Sequence, residues 1–165
     1  MAEDFVRSLG IAFLAHRLRR ASEALVDSGG GFVERHGFAA PPRAASTLLL
    51  LKRERVLGVT EIAQNLGLSH PLIIKLLAEL LRTGLVAEEN DPADQRRRLI
   101  RLTPAGEAQV GRLEQLLEVI AGTFTELFAE AGIDVIGDLD RMEAALARRP
   151  LSERFEERLH SMEIA

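Results

Sequence analysis

The chain of 165 residues has no cysteine, no tryptophan and no tyrosine, and only 4% of it is aromatic. Without cysteine there is no disulfide framework, no thiolate metal site and no thiol redox sensor. No stretch approaches 18 consecutive apolar residues, so no membrane span is expected. The opening Met1-Ala2-Glu3-Asp4-Phe5 carries acid where a secretory leader carries basic residues before an apolar run. A cytoplasmic protein is therefore expected. Neither charge dominates, with 21 Lys and Arg against 25 Asp and Glu. What is present is apolar mass: at 47% hydrophobic the chain is too apolar for disorder and long enough to bury a core of its own. It suits one domain, or one domain with an appended helical element.

A net charge of −4 argues against a nucleic-acid partner until its distribution is considered. From Arg43 to Pro104 there are ten basic and seven acidic residues, which leaves +3 in the middle and −7 on the flanks. The middle of the chain is where positive charge collects.

Periodicity divides the chain into helices with one hairpin among them. Asp4 to Val26 predicts an amphipathic helix with two apolar stripes, Phe5, Leu9 and Phe13 on one and Leu14, Leu18, Ala21 and Leu25 on the other. Two stripes suggest a helix that meets its own domain on one face and a partner on the other. Gly29-Gly30-Gly31 is expected to end it as a flexible break, with 32–42 irregular. Pro42 opens a second helix, Arg43 to Arg55, which Gly58 breaks. Thr60 is the expected N-cap of a third, Glu61 to Leu66, closed by Gly67. Ser69 caps a fourth, His70 to Thr83, closed by Gly84. Leu85 to Glu89 and Arg97 to Leu102 are strand candidates joined by the turn-forming Asn90-Asp91-Pro92-Ala93-Asp94. Thr103-Pro104 starts a long helix to about Ala131, and Pro150 splits the remainder into Val135 to Arg148 and Leu151 to Met162.

Three helices followed by a two-stranded hairpin, inside an otherwise helical chain, is the layout of a winged helix-turn-helix. Such a unit sets the N-terminal end of its second helix into the major groove, with the hairpin tip alongside.

The residues then resemble those of the MarR family of bacterial transcriptional regulators. The resemblance is carried by Thr60-Glu61-Ile62-Ala63, by Leu66-Gly67-Leu68-Ser69-His70-Pro71, by Gly84-Leu85-Val86, by Asp91-Pro92-Ala93-Asp94-Gln95-Arg96, and by Leu102-Thr103-Pro104-Ala105-Gly106. It covers about Leu48 to Gly106 closely and the flanking helices by layout. It implies a homodimer on a pseudo-palindromic operator, possible release by a small ligand in a cleft between dimerisation and DNA-binding parts, and a wing whose Asp94 orients Arg96 toward DNA. Gln95 stands where the family's wing has its first arginine, and Arg97 and Arg98 are candidate substitutes.

The candidate DNA-binding residues are Ser69, His70, Pro71, Ile74, Lys75, Asp94, Arg96, Arg97 and Arg98. A helical wheel that turns Ile73, Leu76, Leu77 and Leu80 inward sends Pro71, Lys75, Ala78 and Arg82 outward, with Leu72, Ile74 and Leu81 on the flanks. Those apolar flanks either meet thymine methyl groups or pack against the wing or a neighbouring helix. The arginine run is either a DNA contact or a charged, aggregation-resistant strand edge. Pleating points successive arginines to opposite faces, so they cannot all follow one phosphate track. His16 and Arg20 on the first helix either line the implied ligand cleft or form a solvated face. The four histidines, His16, His36, His70 and His160, are too dispersed for a metal site, and no cofactor is expected. No nucleophile-and-base pair or phosphate loop is present, so an enzyme is not expected.

The fold expected is mainly α, a winged helix-turn-helix with a two-stranded wing embedded in a helical dimerisation domain. Residues 1–40 would form an N-terminal dimerisation helix and loop, 41–106 the DNA-binding domain, and 107–165 the C-terminal dimerisation helices. The expected partners are double-stranded DNA and a second copy of the chain, with a small effector as a further candidate and no membrane. The alternative is a winged-helix module that has lost DNA binding and pairs with another protein.

Overall fold

Asp4 opens the described chain as a helix cap. Its carboxylate accepts the amides of Val6 and Arg7 (3.1 and 3.3 Å) and so starts α1, Phe5–Ser8. The computed structural model describes residues 4–94 and 97–163. Two compact units form, one of residues up to Leu117 and one from Glu118 onward.

The expected first helix is corrected at both ends. At Gly10 the backbone takes a positive φ of 65°, open to glycine without strain, and a 3-10 turn at Gly10–Phe13 follows. The chain then runs as α2, Leu14–Arg35, straight through the three glycines. The stop comes at Gly37 instead (φ 86°), where the Gly37 amide bonds Glu34 O and the Phe38 amide bonds Val33 O, both at 2.9 Å. Buried Phe38 is the hydrophobic residue that accompanies such a closure. Each mid-helix glycine costs about 1 kcal/mol relative to alanine. Seating of the helix end by Phe38 and the approach of Gly30 to Pro42 outweigh that cost here.

A short 3-10 turn at Pro42–Ala44 leads into α3, Ala45–Glu54, whose Thr47, Leu48, Leu50 and Leu51 are buried. It ends at Arg55, as expected, and the φ of 70° there turns the chain into β1, Val56–Gly58. The helix α4, Val59–Leu66, begins one residue before the expected cap Thr60: Gly58 holds the cap position, and the Glu61 carboxylate accepts its amide at 2.8 Å. Then come α5, His70–Arg82; β2, Val86–Asn90; β3, Arg98–Leu102; and α6, Pro104–Ala131. The wing hairpin is present as expected, and β1 adds a third strand on the far side of β3, giving the antiparallel order β1-β3-β2. A three-residue strand is too short to show an alternating pattern in sequence.

The core of the first unit lies where Leu48 and Leu51 of α3, Ile62 of α4, Ile73, Leu76, Leu77 and Leu80 of α5, Ile100 of β3 and Val110 of α6 are buried. Two side chains of α6 secure the segment after α2. Gln109 accepts the Ala39 amide (2.7 Å), and Arg112 donates to Gly37 O (2.8 Å). Thr103 caps α6 through the Gly106 amide (3.1 Å), as its place before Pro104 predicts.

In the second unit, α6 gives way to α7, Val135–Arg148, and α8, Leu151–Glu163. Arg154 pins the corner between α7 and α8 by donating to Ala145 O (2.9 Å) and Arg149 O (3.0 Å). Neither α7 nor α8 buries a residue, and Ile133, Ile136, Phe155, Leu159 and Met162 are all more than half exposed. No helix among the described residues is long and apolar enough to cross a membrane.

Candidate nucleic-acid interface

The helix pair α4–α5 turns at Gly67-Leu68-Ser69, and its geometry decides what α5 presents outward. The Leu68 amide returns to Ala63 O (3.0 Å) and the Ile73 amide to Ser69 O (3.1 Å), so the turn is closed by backbone bonds. Ser69 occupies the N-cap position with extended φ and ψ, but its hydroxyl makes no capping bond. That corrects the expected side-chain cap.

The buried set of α5 is the one that the wheel requires, Ile73, Leu76, Leu77 and Leu80. Ser69, His70, Pro71, Ile74 and Lys75 are consequently together on one exposed surface, with Ala78 and Arg82 further along. Leu72 is 45% and Ile74 51% exposed, so neither belongs to the core and both present apolar surface outward. The single acid of α5, Glu79, is held by Arg43 at 2.7 Å, whereas Lys75 and Arg82 make no ion pair among the described residues. The outward face of α5 is therefore cationic and partly apolar.

In the wing, Asp91 begins the turn by accepting the Ala93 amide (2.8 Å), and the Arg97 amide bonds Asp94 O (2.9 Å). Asp94 is exposed. Gln95 and Arg96, the second of which sequence reading makes the principal wing contact, lie outside the described residues. Arg97 is exposed but engaged: its guanidinium bonds the Glu61 carboxylate and lies 3.4 Å from Asp91. It thus ties the wing base to the first turn of α4. The Gly58 amide first, and the Arg97 guanidinium second, hold the Glu61 carboxyl below the usual carboxylate range. The same ion pair raises Arg97 above the usual guanidinium value. Arg98 bonds Asn90, its direct cross-strand partner, and lies 3.2 Å from Glu88. Arg101 pairs with Glu89 at 3.0 Å. Alternation sets Arg98 on the face of Ile100 and Leu102, and Arg101 on that of Leu99, as pleating predicts.

Sequence reading missed the Glu61–Arg97–Asp91 arrangement. Its one legible sign is the turn-forming Asp91-Pro92, because Glu61 reads only as a favourable first-turn acid. The ligand candidates also separate. His16 is exposed on α2, and Arg20 grips Asp4 with two bonds of 3.0 and 2.7 Å. Neither lines the cleft of about 440 Å³ in the first unit, which is bounded by Val26, Gly30 and Val33 of α2 and by Phe38, Pro42 and Arg43.

No family model and no curated protein matches the sequence. Solved structures do. The chain is 28% identical to the PcaV transcriptional regulator from Streptomyces coelicolor, solved with its natural ligand, over 89% of this chain and 99% of that one, with a TM-score of 0.62. It is 26% identical to the transcriptional repressor CouR bound to a 23-mer DNA duplex, again over 89% and 99%, with a TM-score of 0.63. A mutant MarR from E. coli complexed with operator DNA shares the fold at 18% identity, with a TM-score of 0.64 over 88% and 99%.

Proposed function

We propose that this winged-helix chain is a regulator of the MarR family, a sequence-specific DNA-binding transcriptional regulator acting as a homodimer on a pseudo-palindromic operator. The observation that carries the reading is the outward face of α5. Its exposed N-terminal half bears His70 and Lys75, its one acid is neutralised by Arg43, and the wing stands on the strand that follows. A helix presented this way fits the major groove, and a basic hairpin fits the flanking backbone or minor groove. Ser69, His70, Pro71, Ile74 and Lys75 face the base edges and nearby phosphates. Arg96, oriented by Asp94, reaches the backbone or minor groove, and Arg97 and Arg98 contact phosphates by exchanging carboxylate partners. A similar protein solved on a DNA duplex, the repressor CouR, supports the DNA-binding reading.

In the same reading, residues 1–40 and 107–165 serve dimerisation and 41–106 serve DNA. Apolar residues exposed in both flanking regions support it: Phe5 is 73% exposed, and α7 and α8 bury nothing. A small effector is proposed for the cleft between α2 and Pro42, since one similar protein was solved with its natural ligand. The protein acts in the cytoplasm, and it performs no catalysis.

The test is selection of sheared DNA from the encoding genome by purified protein at about 150 mM salt, where most non-specific binding is stripped. Enrichment of fragments sharing an inverted repeat is the expected result. Arg96→Ala should weaken every sequence alike, whereas Lys75→Ala should weaken the selected site more than random DNA. Folded, dimeric protein that enriches nothing would refute the reading and favour a protein partner.

A further inference from the structure

We infer that Leu72 and Ile74 are specificity-determining residues which read the 5-methyl groups of thymines on either side of the base contacted by Lys75. The inference rests on the DNA-binding reading above and names what the same surface recognises.

Three observations carry it. First, both side chains are about half exposed on a helix whose inward positions are already filled by Ile73, Leu76, Leu77 and Leu80. Neither is left over from the core. Second, at about 100° per residue Leu72 and Ile74 lie on opposite flanks of the outward stripe that holds Pro71, Lys75 and Ala78. They bracket the lysine. Third, the exposed surface over the first two turns of α5 offers one cation, one imidazole and three apolar groups, with no arginine, asparagine or glutamine to read a base bidentately. In the major groove the chief apolar mark on a base edge is the thymine methyl, while lysine pairs best with the guanine O6 and N7 acceptors. Those side chains on that stripe thus match a guanine flanked by thymines.

The charge around the pair favours DNA over a protein partner. Lys75 and Arg82 are without ion pairs among the described residues, and Arg43 neutralises Glu79.

The experiment takes the tightest duplex from a selection and replaces its thymines one at a time with deoxyuridine, which removes only the methyl group. The parent should lose about threefold to fivefold in affinity at two positions per half-site, the value expected for uncovering one buried methyl. Leu72→Ala should abolish the methyl dependence at one of these positions and Ile74→Ala at the other. Both substitutions lie on the surface, so an unchanged melting temperature establishes that each variant is folded. Tight, salt-dependent binding that is indifferent to every deoxyuridine overturns the inference and leaves the DNA-binding reading intact. Failure to select any duplex overturns both.

Discussion

Gly106 has a purpose that is visible only in three dimensions. A Cβ there would sit 2.0 Å from the Leu85 carbonyl oxygen, which already accepts the Thr103 amide at 3.1 Å. The obstacle is backbone and cannot swing aside. Gly106→Ala should therefore destabilise by about 1–3 kcal/mol as α6 is pushed off the wing base, measured by urea unfolding; an unchanged midpoint would contradict the close approach. Asp4 supplies a pH-dependent counterpart. The Arg20 guanidinium, helped by the Arg7 and Val6 amides, holds its carboxyl down to about 2 against an ordinary 3.8. A carboxyl depressed on folding contributes fully above its unfolded value and loses that contribution as pH falls through its folded one. The tie between α1 and α2 should thus be complete above about pH 4 and dissolve toward pH 2. Arg20→Ala should return Asp4 nearer 3.8, followed by the carboxyl carbon shift; an unmoved titration would refute the assignment. In sequence, Gly106 is legible as part of a family motif, but its reason is not, since the blocking atom belongs to a residue twenty-one positions earlier.

Among the elements, α5 and the wing turn were the most legible. The inward stripe of α5 is made of leucine and isoleucine alone, and Asn90 to Asp94 is dense in turn-forming residues. The end of α2 was not legible, because three glycines outweigh any local helical signal and the opposing contacts come from Phe38 and Pro42. That correction can be tested. Gly29 is exposed inside α2, and a Cβ there meets nothing within 4 Å. Gly29→Ala should raise stability by about 0.5–1 kcal/mol in thermal unfolding, whereas a flexible break at this position predicts no gain. The Glu61–Arg97 pair escaped notice for a similar reason: its partners are 36 positions apart, and neither carries a distinctive local pattern.

For the molecule as a whole, the division at Leu117 had no trace in the sequence, because the apolar rhythm of α6 continues across it. The apolar residues of α7 and α8 were legible and are found exposed; on the homodimer reading proposed above they face the second copy. Phe155→Glu should accordingly weaken self-association by about thirtyfold, the value for a central interface anchor, and sedimentation at micromolar concentration would then show monomer. A variant that stays dimeric would place the contact elsewhere. The last consequence concerns the wing, whose Arg97, Arg98 and Arg101 each already hold a carboxylate or amide oxygen. On the DNA-binding reading proposed above, few cations of the described wing stand ready to displace the ions condensed on a duplex, so residence on random sequence should be brief. A regulator of that kind would search a chromosome by many short visits through solution, not by long slides, and would stay only where the bases themselves reward it.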